Sequence, residues 1–153
     1  MGKKGSKSSI FSSCFTHDKN YLITGNLRNI NVIDLHAQKQ IACIKDIHDS
    51  KFLNQSSQDW HSWKDNFYTL AITSDDKYVI SPGANKSLQI ISLKTKEIEH
   101  IWKDVHKGTN ITALLLFYKD KYLASAATDH SIKIFDIETK QIVHKFEEVF
   151  DRK

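Results

Sequence analysis

A chain of 153 residues, 40% hydrophobic and 26% charged, has the size of one ordinary domain and the balance of a soluble globular protein. Its longest strongly apolar run, residues 113–118, is far short of the roughly 18 residues of a membrane span, and no apolar signal core follows Met1, so a cytoplasmic protein is expected. Much of the formal charge of +4 comes from Lys3, Lys4 and Lys7, and only Arg28 and Arg152 are arginines among 22 basic residues, which argues against a nucleic-acid reader.

Residues 1–9 read as a flexible basic tail. They also fit the pattern M-G-x-x-x-S for myristoylation of Gly2, with the three lysines as a second membrane signal; a solvated tail is the competing reading. Beyond the tail the chain repeats itself. The stretch "DKNYLITGNLRNINVID", residues 18–34, returns as "DDKYVISPGANKSLQIIS", residues 75–92, and as "KDKYLASAATDHSIKIFD", residues 119–136. Tyr78 and Tyr122 are 44 residues apart, and Tyr21 and Tyr78 are 57 apart, so an insertion of about 13 residues separates the first two copies. The expected division is a first unit over 10–50, an inserted loop over 51–66, a second unit over 67–106, a third over 107–150, and a tail over 151–153.

Each unit predicts four short antiparallel strands. In the third they cover about 111–118, 121–126, 131–137 and 141–147, divided by the polar turns "KD", "ATDH" and "ETK". "ITALLLF", "YLASAA" and "SIKIFDI" are apolar on both faces, which predicts sheets packed on both sides. Fourth strands such as "EIEHIWK" alternate charge with apolar residues, as suits an outer edge. Pro82 removes a ladder donor and predicts a bulge or an early strand end. Cys14 and Cys43 would lie on the first and fourth strands of one unit, roughly 14 Å apart at about 4.8 Å per strand, as buried apolar residues without a bridge.

These units resemble the repeats of the WD40 family over residues 10 to about 150. The family pattern Ser-Pro-Asp-Gly-Lys-Tyr-Leu-Ala-Ser is echoed by "TSDDKYVIS" from Thr73 and "FYKDKYLAS" from Phe117. The Trp-Asp dipeptide is replaced by Ile33-Asp34, Ile91-Ser92 and Phe135-Asp136, and the preceding Gly-His by Ile47-His48 and Val105-His106. The resemblance implies an all-β, WD40-type propeller segment of three four-stranded antiparallel blades. Such a ring is incomplete unless an oligomer or a partner completes it.

The resemblance also implies a structural hydrogen-bonded tetrad at His106, Ser125, Asp129 and Phe135. Phe135 has no indole N–H, so at most three polar members are expected. In that setting the consecutive Asp129, His130 and Ser131 are a turn rather than a catalytic triad, with Asp129 bound to His106 and not to His130, since consecutive residues entering a strand point to opposite faces. In the second copy Ser81 and Asn85 take the corresponding places, and the first copy keeps Thr24. Phe52, Leu53, Trp60 and Trp63 of the inserted loop are the candidate partner-binding residues, since family connections of this kind lie on a docking face and tryptophans recur at interface hot spots. The bland alternative is that they fold back on the blade.

No phosphate loop, metal-type Cys/His spacing or nucleophile elbow appears, so no enzyme activity, metal or cofactor is expected. The expected role is a non-enzymatic scaffold for a protein or peptide partner. The alternative is a membrane-tethered signalling adaptor similar to G-protein beta subunits, acylated at Gly2. Three blades leave two apolar faces uncovered, which predicts a homodimer of six blades, a propeller-like partner, or a chain cut from a longer propeller. Phe150, standing where the second copy has His106, fits the last of these.

Overall fold

The computed structural model describes residues 10, 12–26, 29–44, 69–83, 86–107 and 110–147. These form strands β1 (Ser12–Phe15), β2 (Tyr21–Gly25), β3 (Ile30–Asp34), β4 (Lys39–Ile44), β5 (Ala71–Ile72), β6 (Tyr78–Pro82), β7 (Leu88–Ser92), β8 (Ile98–Trp102), β9 (Ile111–Phe117), β10 (Tyr122–Ala127), β11 (Ile132–Asp136) and β12 (Ile142–Phe146). They make three four-stranded antiparallel sheets, each ordered as its strands occur in the chain. The sheets are called blades 1, 2 and 3.

The hairpins are written into the turn residues. Between third and fourth strands, Asp34 accepts the N–H groups of His36 and Ala37, and Asp136 accepts those of Glu138 and Thr139. In blade 2 the Ser92 hydroxyl takes this place and accepts Thr95 N–H at 3.2 Å. Gln38, Lys96 and Lys140 then close the three turns in the left-handed region. This is why an acid or a hydroxyl follows the apolar residue of each third strand: a short acceptor satisfies turn amides that the ladder cannot reach. Pro82 is the last residue of β6, pairing with Leu88, so the strand ends where the ladder donor is lost.

Repeat equivalence decides which face each residue serves. Leu22, Val79 and Leu123 are equivalent, as are Ile33, Ile91 and Phe135, and all face the preceding blade. Ile23, Ile80 and Ala124, with Val32, Ile90 and Ile134, face the following one. Accordingly Ile23, Ile30, Val32 and Ile44 of blade 1 pack with Val79 and Ile91 of blade 2. Ile80, Leu88, Ile90 and Trp102 on the other face of blade 2 pack with Leu123 and Phe135 of blade 3. Strand β7, with neighbours on both sides, is buried at every position, whereas β12 is exposed at every position.

Polar contacts join the same blades. Trp102 Nε1–H donates to Lys140 O across the interface at 2.8 Å, while its ring lies 5.0 Å from that of Phe135. In the first hairpin turns, Asp76 of blade 2 accepts the N–H groups of His17 (2.7 Å) and Asp18 (3.1 Å) in blade 1. Asp120 of blade 3 accepts Ser74 N–H of blade 2 at 2.6 Å.

Two expectations need correction. Packing on both sides holds for blade 2 alone, because blades 1 and 3 each have one described neighbour; β9, expected to be interior, exposes Leu115 and Phe117. The cysteines are unbridged but half-buried rather than buried. Cys14 is level with Ile23 and Val32, whereas Cys43 pairs with Asn31 in the adjacent row, so the two point to opposite faces of blade 1. Burial, then the Asp76 carboxylate, pushes the Cys14 thiol up to about 11.

Ile91→Ala is expected to cost about 2–5 kcal/mol in urea unfolding, since it opens a cavity between blades 1 and 2. Leu115→Ala, on the open side of blade 3, is expected to stay within about 0.5 kcal/mol.

Candidate functional site

The residues of the expected tetrad meet between the end of blade 2 and the second hairpin of blade 3. His106 follows β8 and is held by Val105, whose N–H donates to Lys86 O at 2.9 Å. Its Nδ1 lies 3.2 Å from both carboxylate oxygens of Asp129, in the β10–β11 turn, and 2.8 Å from Ser131 Oγ. Its Nε2 lies 2.8 Å from Ser125 Oγ on β10. The partners assign the tautomer: Nδ1–H faces the carboxylate and Ser131, and the Ser125 hydroxyl donates to Nε2. Asp129 also accepts the backbone N–H groups of Lys107 (3.0 Å) and Ser131 (3.1 Å), so its acceptors are used on several sides.

His106, Ser125 and Asp129 thus come together, and Phe135 lies on the same face without a polar contact, packed on Trp102. The fourth polar member is Ser131, whose Oγ–H donates to Asp129 at 2.7 Å. This corrects the expected limit of three. Alternation separates neighbours and not residues two apart, and Ser131 stands two after Asp129, just before β11 begins at Ile132. Ser131 still belongs to the turn, where the Asp129 carboxylate folds its hydroxyl inward. Its neighbour His130 is exposed, in the left-handed region, and outside the network.

Carboxylate, imidazole and hydroxyl are connected in the order used for nucleophilic catalysis. Burial decides what that order can do here. Ser125 is 0% exposed and His106 1%, so no substrate carbonyl can approach the hydroxyl. The chemistry left is structural: a partly buried carboxylate supplied with donors pins the hairpin turn of one blade to the chain leaving the previous one. Lys133 adds to this pinning, its Nζ donating to Val105 O.

Burial pushes the His106 pKa below the usual value, and Lys133 adds to this, outweighing the pull of Asp129. Burial alone would raise Asp129, but hydrogen bonds from Ser131 and Lys107 and the adjacent imidazole hold it below the usual carboxylate range.

Among the described residues this network is built once. In blade 2 the Ser81 hydroxyl donates instead to Pro82 O at 2.9 Å, and in blade 1 Thr24 Oγ1 accepts from Asn31 Nδ2 at 3.5 Å. Asn85, the loop residues Phe52, Leu53, Trp60 and Trp63, and Gly2 lie outside the described residues.

A second feature is the open side of blade 3. Its rows read Phe117–Tyr122, then Leu115–Ala124–Ile134–His144, then Ala113–Ala126–Ile132–Phe146. Leu115 is 63% exposed, and Phe117 and Phe146 are exposed as well. The free side of blade 1 carries Phe15, exposed, with Leu22 and Ile33 half-buried.

The family model of the anaphase-promoting complex subunit 4 WD40 domain matches residues 62–151, more than half of the chain. The chain belongs to the WD40 repeat family. Solved structures agree on the fold of these WD40 blades. The RRP9 WD40 repeats superpose with a TM-score of 0.69 at 17% identity, covering 94% of this chain and 40% of that one. The beta-propeller domain of Myceliophteria thermophila Cps50 (Swd1) gives 0.70 at 14%, covering 95% and 45%. The structure of U3-55K gives 0.68 at 15%, covering 94% and 41%. This WD40 chain therefore spans less than half the length of the propeller chains it matches. A search of curated proteins finds no match.

Asp129→Ala strands a buried imidazole and two turn amides and is expected to cost about 1–3 kcal/mol by thermal or urea melts, whereas His130→Ala is expected to be near neutral. The pH dependence follows from the same group. The fold holds His106 neutral, so its contribution is complete above the unfolded value of 6.5 and is lost as pH falls through the lower folded value. Melting temperature is expected to drop between pH 7 and pH 5 in the native chain and to drop less in His106→Gln.

Proposed function

We propose that this protein is a non-enzymatic, cytoplasmic interaction scaffold that binds a protein partner through the open side of blade 3. The observation that carries the reading is the continuous apolar surface over Leu115, Phe117, Ala124, Ile134 and Phe146. A WD40 blade is apolar on both sides and reaches full burial only between two neighbours, as β7 does. An exposed surface of this kind marks a place where something docks. The scaffold reading is further supported by the WD40 fold itself and by the burial of His106 and Ser125, which seals the one connected carboxylate, imidazole and hydroxyl among the described residues.

The two open sides are of opposite type. Blade 3 presents the face equivalent to Ile80 and Ile90, and blade 1 the face equivalent to Val79 and Ile91. A second copy would therefore meet this chain head to tail and close six blades, while a different protein would cover blade 3 from outside. No observation of the fold favours the membrane-tethered adaptor.

A photo-crosslinking amino acid placed at position 115 in the full chain, in cells that express it, is expected to give a discrete adduct with a protein. The same group at the exposed turn residue Glu138 is expected to give none. Absence of an adduct at position 115, or equal adducts at both, would contradict the reading.

A further inference from the structure

The first hairpin turns of the three blades carry a contact that runs in one direction. The residue two before the aligned tyrosine is Lys19, Asp76 or Asp120, each in the left-handed region. Asp76 reaches back to blade 1, where its Oδ1 accepts His17 N–H and lies 2.9 Å from His17 Nδ1, and its Oδ2 accepts Asp18 N–H. Asp120 reaches back to blade 2, where its Oδ2 accepts both the N–H and the hydroxyl of Ser74. Each interface between blades is thus clamped at its rim by a carboxylate from the later blade on the turn of the earlier one.

Among the described residues no following blade supplies that carboxylate to the turn of blade 3, residues 118–121. This turn also departs from the other two. Tyr118, Lys119 and Asp120 are all left-handed, whereas blades 1 and 2 have a single left-handed residue there. One cause is local, since Phe117 replaces the hydroxyls of Thr16 and Thr73, which accept the tyrosine N–H at 3.0 and 3.1 Å. Among the described residues this is also the first hairpin turn that receives no carboxylate from a following blade, unlike those of blades 1 and 2. Tyr118 is 75% exposed and Lys119 is exposed beside it; with Asp120 engaged by Ser74, Lys119 and Lys121 leave the turn basic.

A second copy brings the wrong group to this place. Docked as a following blade, its first turn would set the Lys19 ammonium where Asp76 and Asp120 set a carboxylate, against a turn already carrying two lysines. Asp18 cannot substitute, because its oxygens are used inside its own turn by Thr16 and Asn20.

We infer that the open side of blade 3 docks a β-blade whose first hairpin turn carries an aspartate or glutamate that caps the 118–121 turn, rather than blade 1 of a second copy of this chain. The apolar half of the fit is set by the same equivalence. Ala124 stands where blade 2 has Ile80, which packs with Leu123 and Phe135 in the internal interface, so the partner has room there for side chains at least as large. The inference rests on the reading of blade 3 as a docking face and adds the chemistry of what docks.

The full chain itself supplies a probe. Lys19→Asp gives blade 1 the acid that the proposed partner carries, at a left-handed position where blades 2 and 3 already hold Asp, so the fold is retained. Sedimentation equilibrium over a concentration series is expected to show the native chain associating weakly and Lys19→Asp at least about tenfold more tightly, as charge-assisted hydrogen bonds allow. Lys19→Met, which removes the ammonium without adding an acceptor, is expected to gain much less. A tight dimer of the native chain would overturn the inference, leaving the scaffold reading intact. Equal gains for Met and Asp, or no gain for Asp, would also overturn it. Leu115→Glu combined with Lys19→Asp is expected to abolish the gain; its persistence would place the contact elsewhere and overturn the docking face as well.

Discussion

A blade of four short strands cannot bury two apolar faces by itself, and everything else in this structure follows from how that constraint is met. Blade 2 meets it with a neighbour on each side, and its strand β7 is buried throughout. Blade 3 meets it on one side, where Leu123 and Phe135 lie against Ile80, Leu88 and Ile90. The same residue types that form a core on one side of this blade form a surface on the other. What distinguishes core from surface is the presence of a next blade, not the strand sequence.

The polar contacts secure those apolar interfaces and fix their order. His106 leaves blade 2 and is held by Ser125, Asp129 and Ser131 of blade 3, and Trp102 donates to the far hairpin of the same blade. The carboxylates of Asp76 and Asp120 each reach back to the preceding blade. Together they make each interface directional, so a blade is specified as following or preceding. The connected Asp129, His106 and Ser125 show how little connectivity alone says about catalysis. The groups that could relay a proton are sealed by the packing they secure.

Much of the fold was legible in the sequence because a repeat states its own boundaries. The aligned Tyr21, Tyr78 and Tyr122 give the register of all three blades, and the strands of blade 3 fall within a residue or two of their expected places. The pairing of Asp129 with His106 was legible only through the family resemblance, since the two are 23 residues apart. Ser131 was missed because the expected network came from the family resemblance, whose four positions do not include it. The clamps of Asp76 and Asp120 were hidden for a different reason: they depend on how one repeat sits against the next, which spacing along the chain does not encode. Trp102 left a faint signal as a single large aromatic at the end of a fourth strand that otherwise mixes polar and aliphatic residues.

On the proposed docking, the outer side of blade 3 is bare in the purified chain and covered when the protein works. Hydroxyl-radical footprinting of the purified chain, and of the chain recovered in its native assembly, tests this most directly. Leu115, Tyr118 and Phe146 are predicted to be oxidised rapidly in the purified chain and protected in the assembly, with Phe135 and Trp102 silent in both. Equal oxidation of Leu115 and Phe146 in the two samples, or their silence in the purified chain, would contradict the account.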